Sequence, residues 1–93
     1  MADEVRASHI LVDTKEEALE LKENITSLED FARAAAEYSN CPSGAEGGDL
    51  GYFGRGMMVK PFEDAAFSLP VGVVSDPVET QFGWHLIMVT DKD

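Results

Sequence analysis

Two segments with β-strand character lie near opposite ends of the chain, and each contains one of its two histidines. Residues 5–12 read VRASHILV and residues 84–90 read WHLIMVT, and both are rich in β-branched and other apolar side chains. Because side chains alternate between the two faces of a strand, His9 and His85 each share a face with aliphatic residues. Those residues are Val5, Ala7 and Leu11 beside His9, and Ile87 and Val89 beside His85. We therefore expect both imidazoles to point into the protein.

Three helices are predicted between these two strands. The sequence TKEE at residues 14–17 has the pattern of a capping box and predicts a helix over residues 15–24. Ser27 precedes apolar residues at helical spacing, which predicts a second helix that ends near Tyr38. Pro61 suits the first turn of a third helix, which the sequence LPVG ends.

The remaining segments complete an α+β fold. Residues 40–50, NCPSGAEGGDL, contain a proline and three glycines and are predicted to be a loop. Short strands are expected at residues 51–53 and 78–80. The order β-α-α-loop-α-β-β indicates an α+β sandwich with an antiparallel sheet. A chain of 93 residues has room for one core, so residues 1–93 are expected to form a single domain.

Charge and composition exclude several classes of function. The chain carries 18 acidic and 7 basic residues, and its net charge of -11 repels phosphates and anionic lipids. Nucleic acid is therefore not an expected partner. No apolar run approaches the roughly 20 residues of a membrane span, and the N-terminal sequence MADEVRAS lacks the basic region of a signal peptide. The single cysteine fits the reducing cytoplasm, where we expect a monomer.

The two histidines and the lone cysteine allow three kinds of site. The imidazoles could hydrogen-bond to each other, since a neutral histidine has one donor and one acceptor nitrogen. A metal site is poorly supported, because the sequence has no Cys-x-x-Cys and no histidine pair at helical spacing. A thiol nucleophile would need Cys41 beside His9 or His85. The sequence PSG after Cys41 leads into further loop, so no helix N-terminus is expected there to activate the thiol.

Four motifs spread along the chain are weak evidence singly and specific in combination. They are SHILV at residues 8–12, GDLGYFGRG at residues 48–56, KPFEDAAF at residues 60–67 and FGWHLI at residues 82–87. In this order, and over essentially the whole chain, they resemble the parvulin family of peptidyl-prolyl cis/trans isomerases.

The resemblance implies a fold and a role for the histidines. Parvulins, which belong to the FKBP-like superfold, surround a four-stranded antiparallel sheet with about four helices, so a further short helix is expected within residues 43–50. His9 and His85 match two histidines that lie side by side beneath the parvulin cleft, and Thr80 matches a threonine that hydrogen-bonds to them. Cys41 matches a position that holds either Cys or Asp, which implies a polar role near the substrate and not that of a nucleophile.

The resemblance also implies a binding pocket and an activity. Leu50, Met58 and Phe62 match the apolar pocket that receives the proline ring, and the adaptable side chain of methionine suits a pocket that accepts many sequences. The implied activity is the isomerisation of X-Pro bonds, for which no metal and no cofactor are expected. The implied partners are proline-containing peptides and unfolded or partly folded proteins.

The loop after the first strand bears on substrate preference. Phosphate-directed parvulins carry basic residues there, whereas residues 13–17 read DTKEE, with Lys15 as a lone base. We therefore expect unphosphorylated substrates with apolar or basic residues before proline, and Arg55 is the candidate contact for an acidic one. Two alternatives remain open, namely a non-catalytic chaperone module on the same fold and a thiol hydrolase that uses Cys41.

Overall fold

A computed structural model describes residues 4–92, which form a four-stranded antiparallel sheet with three α-helices and one 3-10 helix. The elements are β1 (Glu4–Val12), α1 (Lys15–Asn24), α2 (Leu28–Tyr38), the 3-10 helix (Pro42–Glu46), β2 (Asp49–Gly54), α3 (Lys60–Ser68), β3 (Val78–Thr80) and β4 (Gly83–Lys92). The strand order is β2-β1-β4-β3, and every pairing is antiparallel. The predicted α+β fold with its antiparallel sheet is confirmed.

The central strands β1 and β4 send alternate side chains to two separate cores. One core, which we call the α3 face, joins both strands to α3 and β2. It consists of Val5, Ala7, Phe53, Phe62, Ala66, Ile87 and Val89. The other core, the α1/α2 face, consists of Ile10, Val12, Ala18, Phe31, Ala35, Leu86 and Met88. His9 and His85 lie on the α3 face and are both buried, as their positions in the alternation predict.

Both helices that cover the α1/α2 face begin as predicted. Thr14 Oγ1 accepts the Glu17 N–H at 3.2 Å, and Ser27 Oγ accepts the Asp30 N–H at 3.2 Å. Each bond satisfies a backbone donor that the first turn of a helix leaves without a partner. No helix within residues 4–92 is long and apolar enough to cross a bilayer.

The segment predicted to be a loop without a helix is instead ordered as the 3-10 helix, which begins directly after Cys41. That prediction was wrong because Pro42 fixes the backbone angle φ that a first helical turn requires. The three glycines of residues 40–50 had favoured a loop and obscured this signal. The short extra helix that the family resemblance implies within residues 43–50 is therefore present, although it begins at Pro42. Strand β2 also begins earlier than expected, so Leu50 lies in a strand.

Gly48 shows why this segment must contain glycine. Its φ is +81°, and a Cβ atom built there would lie 2.2 Å from the carbonyl oxygen of His9. That close approach accompanies a hydrogen bond of 2.9 Å from the His9 N–H to the Gly48 carbonyl. The glycine thus lets the chain after the 3-10 helix pair with β1 beside the histidine.

Candidate active site

The two histidines meet between the central strands. In the β1–β4 pairing His9 lies opposite Ile87, and Leu11 lies opposite His85, so the imidazoles are diagonal neighbours on one face. Their Nδ1 atoms are 3.1 Å apart, and the rings are stacked with centroids 5.3 Å apart. The mutual hydrogen bond that the sequence suggested is therefore present.

Both imidazoles are neutral at pH 7. Burial, and to a smaller extent the neighbouring His85 ring, lower the pKa of His9 to about 4. Burial also lowers the pKa of His85. A neutral imidazole has one N–H and one acceptor nitrogen, so the short Nδ1–Nδ1 contact requires one ring to donate and the other to accept.

Three further side chains extend the pair into a hydrogen-bonded series, which we call the histidine chain. Thr80 Oγ1 lies 2.8 Å from His85 Nε2. At the other end His9 Nε2 lies 3.1 Å from Ser43 Oγ, which donates to Cys41 Sγ at 3.4 Å. The histidine chain thus runs in the order Thr80, His85, His9, Ser43 and Cys41, from the start of the β3–β4 turn to the 3-10 helix.

The direction of the histidine chain follows from its Cys41 end. Ser43 donates its one hydroxyl proton to Cys41 Sγ, so Ser43 Oγ accepts from His9 Nε2. A neutral His9 with its proton on Nε2 then accepts at Nδ1 from His85 Nδ1, and His85 Nε2 accepts from Thr80 Oγ1. Thr80 Oγ1 itself accepts the Phe82 N–H at 3.2 Å. Each bond of the series thus joins one donor to one acceptor.

Ser43 is a site residue that the sequence analysis missed. Its only sequence signal is its position two residues after Cys41, which in a loop carries no directional information. The 3-10 helix turns Ser43 back toward β1, where its hydroxyl bridges His9 and Cys41. The backbone of Cys41 is fixed as well, since Ser39 Oγ accepts its N–H at 3.3 Å.

An apolar cleft lies above the histidine pair. Phe62 stands edge-on to both imidazoles, with centroids 5.6 Å from His9 and 5.4 Å from His85. The cleft has a volume of about 440 Å³. It is lined by His9, Leu11, Asn40, Cys41, Pro42, Leu50, Met57, Met58, Val59, Phe62, Phe82 and His85. All predicted catalytic and proline-pocket residues except Thr80 line it, and Thr80 lies behind His85 as its hydrogen-bond partner.

Two of the lining residues that were not assigned from the sequence are large, apolar and exposed. Met57 and Phe82 are 67 % and 62 % exposed, respectively, although both are large and apolar. Exposed apolar side chains beside a cleft are typical of a surface that binds a ligand. No pattern in the sequence predicts this arrangement, because Met57 lies between β2 and α3 and Phe82 lies in the β3–β4 turn.

The cleft is uncharged. Its lining contains no Asp, Glu, Lys or Arg. Arg55, the candidate contact for an acidic residue before proline, points elsewhere: its Nη1 donates to Glu63 at 3.2 Å and its guanidinium lies 4.4 Å from the centroid of the Phe67 ring. The geometry does not favour that contact, since Arg55 has a partner on α3 and does not line the cleft, and it stays a prediction. Lys15 lies over the Trp84 ring, also outside the lining.

Other parts of the described chain fit catalysis less well. A cavity of about 500 Å³ beside α2 is lined partly by Arg6, Asp49 and Asp91, so it lacks the apolar wall that a proline ring requires. Within residues 4–92, no group of three or more His, Cys, Asp or Glu side chains is arranged to hold a metal ion. The uncharged cleft above the histidine chain is therefore the candidate active site.

Comparison with known proteins agrees with this geometry. A family model described as "PPIC-type PPIASE domain" matches residues 1–93. The chain is 57 % identical over 90 residues to the foldase protein PrsA of Geobacillus sp. (strain WCH70). The aligned region covers 96 % of this chain and 33 % of that protein. It thus spans about a third of the length of the curated relatives that it matches.

Solved structures extend the comparison. The peptidylprolyl isomerase PrsA of Bacillus cereus superposes with a TM-score of 0.92 at 50 % identity, over 99 % of this chain and 36 % of that one. NmPin, the parvulin of Nitrosopumilus maritimus, superposes with a TM-score of 0.83 at 44 % identity, over 98 % of this chain and 99 % of that one. The same fold therefore occurs both as part of a longer protein and as nearly a whole one.

Proposed function

The chain belongs to the PPIC-type peptidyl-prolyl isomerase family, the parvulins, and we propose that it isomerises X-Pro bonds in unphosphorylated protein segments and so assists their folding. The observation that carries this proposal is the uncharged apolar cleft directly above a neutral, fully hydrogen-bonded histidine pair. The foldase relatives support a role in protein folding.

The reaction requires a twisted peptide bond and no covalent chemistry. An X-Pro bond rotates over a barrier of about 18–20 kcal/mol, which reflects lost amide resonance. The apolar residues Leu50, Met58 and Phe62 hold the proline ring while the preceding residue turns. Removing the amide from water favours the twisted form, because its charge separation is smaller than that of the planar amide. A thousandfold acceleration needs only about 4 kcal/mol of such preference.

The histidine chain contributes fixed polarity beneath the proline ring. Because both imidazoles are neutral, the floor of the cleft carries no net charge that would favour the planar, polarised amide. The histidine chain also orients Cys41, whose sulfur accepts from Ser43. In this account His9, His85 and Thr80 set the hydrogen bonding of the cleft, and Cys41 tunes its polarity.

Substrate charge follows from the surroundings of the cleft. A phosphorylated residue before proline carries about -1.5 to -2 charges at pH 7 and is usually bound by arginine clusters. Here the lining has no basic side chain and the whole chain has a net charge of -11. Both features disfavour phosphorylated substrates and leave apolar or basic residues before proline as the preferred ones.

A peptide series tests this preference. The peptides Ala-Xaa-Pro-Phe, with Leu, Lys, Ser, phosphoserine or Glu before proline, are compared by cis/trans exchange NMR. We expect kcat/KM for phosphoserine to be at least about tenfold below that for serine, a difference of about 1.4 kcal/mol. Because part of this difference is long-range repulsion, it should shrink at high salt. Faster isomerisation of the phosphoserine peptide would contradict the proposal.

The alternative function is that of a chaperone module, which binds extended segments without catalysing rotation. Such a module would not require an intact histidine chain.

The oligomeric state and the location of the protein stay predictions. Sedimentation can test whether it is a monomer, and fractionation can test whether it is cytoplasmic.

A further inference from the structure

Glu63 is a buried acid that the proposed mechanism does not use. It lies in the first turn of α3 and is 8 % exposed. Carboxylates are rarely buried unless they have partners, and both oxygens of Glu63 are bonded to one segment. Oε1 accepts the Gly56 N–H at 2.5 Å, and Oε2 accepts from Arg55 Nη1 at 3.2 Å. We call this segment, residues 55–59 with the sequence RGMMV, the methionine turn.

One support of the methionine turn comes from outside it, at Gly56. Gly56 has a φ of +89°, and a Cβ atom there would meet nothing within 4 Å. Glycine is therefore favoured at this position by the left-handed backbone conformation and not by a lack of space for a side chain. A glycine in an open position adds conformational freedom that must be lost when the turn is ordered. The bond from Gly56 to the helix-borne carboxylate fixes the backbone at this point.

The other side of the methionine turn forms part of the cleft. Met57, Met58 and Val59 all line it, and Phe62 precedes Glu63 on α3. Met58 also packs against the α3 face, which contains Phe62. The same first turn of α3 thus carries one wall of the pocket and the carboxylate that holds the next wall.

We propose that Glu63 is a positioning residue that holds the methionine turn, through Gly56, so that Met58 forms the wall of the proline pocket before substrate binds. This inference rests on the proposed function. A wall that is already ordered does not have to be ordered by the peptide, which improves binding without adding a contact. The expected consequence of losing the support is therefore a higher KM at nearly unchanged kcat.

Charge alone does not explain this carboxylate. An acid in the first turn of a helix interacts favourably with the helix dipole wherever its side chain points. Its partner Arg55 has a side chain that is 61 % exposed, and ion pairs with such exposed groups contribute little. The bond to Gly56 depends instead on reach, because the acceptor oxygen must meet a fixed backbone N–H.

Two substitutions separate reach from charge. Glu63→Gln keeps the length of the side chain and one acceptor oxygen but removes the charge, whereas Glu63→Asp keeps the charge and shortens the side chain by one methylene. With the peptide Ala-Leu-Pro-Phe, we expect Glu63→Asp to raise KM about tenfold while kcat stays within about twofold of the wild type. We expect Glu63→Gln to keep KM within about threefold of the wild type. The opposite order, or no change in either variant, would overturn the proposal.

The neighbouring Asp64 provides a matched control. It lies on the same helix, is exposed, and pairs with Lys60 at 3.1 Å, so Asp64→Ala removes an acid and an ion pair without touching the methionine turn. We expect Asp64→Ala to leave KM unchanged. A KM that rises as much in Asp64→Ala as in Glu63→Asp would assign the effect to helix charge and overturn the positioning role.

A double substitution tests whether Glu63 acts through Met58. In a Met58→Ala background the wall is already missing, so adding Glu63→Asp should raise KM no further, and two additive effects would refute the route through Met58. The amide proton of Gly56 gives a reading independent of catalysis: its NMR signal should move upfield in Glu63→Asp and much less in Glu63→Gln. If the wild type does not accelerate isomerisation, the proposed function fails, while this signal and peptide affinity still decide the role of Glu63.

Discussion

The α3 face and the α1/α2 face are built from alternate residues of the same two strands, yet their chemistry differs. On the α1/α2 face, β1 and β4 contribute Ile10, Val12, Leu86 and Met88 to the core. On the α3 face, the same strands place His9 and His85 among aliphatic residues. A buried imidazole is costly unless its nitrogens are hydrogen-bonded, and the histidine chain supplies those bonds. One face therefore serves stability alone, whereas the other combines stability with the proposed active site.

A large truncation on the α1/α2 face should break stability and leave the site intact. Phe31 is fully buried there, and Phe31→Ala should lower the free energy of unfolding by about 3–5 kcal/mol. Urea denaturation measures this loss of stability. If the alanine variant does not fold, Phe31→Leu takes its place, and a smaller loss is expected for it. In each folded variant kcat/KM should stay within about twofold of the wild type. A fall in kcat/KM in fully folded protein would contradict the separation of the two faces.

The pH dependence of stability should come mainly from the α3 face. An unfolded histidine takes up a proton below about pH 6.5, whereas folded His9, with its pKa near 4, does not. Between these values the unfolded state binds more protons, so stability is full above pH 6.5 and is lost as the pH falls toward 4. The loss should reach about 3 kcal/mol from His9, and His85 adds to it with the same sign.

Denaturation at a series of pH values tests this prediction. The lowered pKa values of Asp30, Asp49 and Asp76 also destabilise the protein in acid, but mainly below the ordinary carboxyl value of 3.8. The window from about pH 5 to about pH 6.5 therefore reports mainly on the histidines. We expect His9→Asn to flatten the profile in that window. An unchanged slope in this variant would show that His9 titrates normally in the folded protein.

Interruption of the histidine chain should affect catalysis more than folding. His85→Ala should lower kcat/KM about 100-fold, or about 2.7 kcal/mol, because Thr80 and His9 lose their common partner. Ser75→Ala is a matched control, since Ser75 is buried and its hydroxyl accepts the N–H of Ile87, which lies on β4 as His85 does. We expect the control to lose stability and keep its kcat/KM. If His85→Ala keeps both its fold and its catalysis, the assignment of the histidines is wrong.

The smallest effect is expected at Cys41. Its sulfur ends the histidine chain, and no covalent step passes through it, so Cys41→Ala should change kcat/KM by no more than about threefold. Removal of a true nucleophile would instead abolish the activity. Alkylation of the wild-type thiol is a poorer test, because the added group would occupy the cleft. A loss of several orders of magnitude in Cys41→Ala would revive the thiol hydrolase.

The features predicted from the sequence are those that nearest neighbours determine. The alternation of side chains in β1 and β4 places His9 and His85 on one face. The β1–β2 and β1–β4 pairings each contain one register shift, and in both the extra residue belongs to the partner strand. The alternation along β1 is therefore uninterrupted. The capping side chains of Thr14 and Ser27 act within their own first turns. Such short-range signals survive in a single sequence.

The missed features depend on contacts between distant segments. Ser43 became a site residue only because the 3-10 helix brings it to His9, 34 positions away along the chain. Arg55 was assigned to the substrate because the sequence does not reveal that Glu63 and Phe67 of α3 face it. Leu50, Met58 and Phe62 were assigned through the family resemblance, since the sequence pattern of Met58 and Phe62 alone favours ordinary core packing.

Exchange NMR on an X-Pro peptide decides whether the cleft catalyses rotation about the X-Pro bond. The cis and trans signals of Ala-Leu-Pro-Phe are recorded with and without a catalytic amount of the wild-type protein. We expect faster exchange at unchanged cis and trans populations, because a catalyst lowers the barrier and leaves the equilibrium where it was. Shifts in the peptide signals without faster exchange would mean that the cleft binds proline segments without turning them, and the catalytic role of the histidine chain would be refuted.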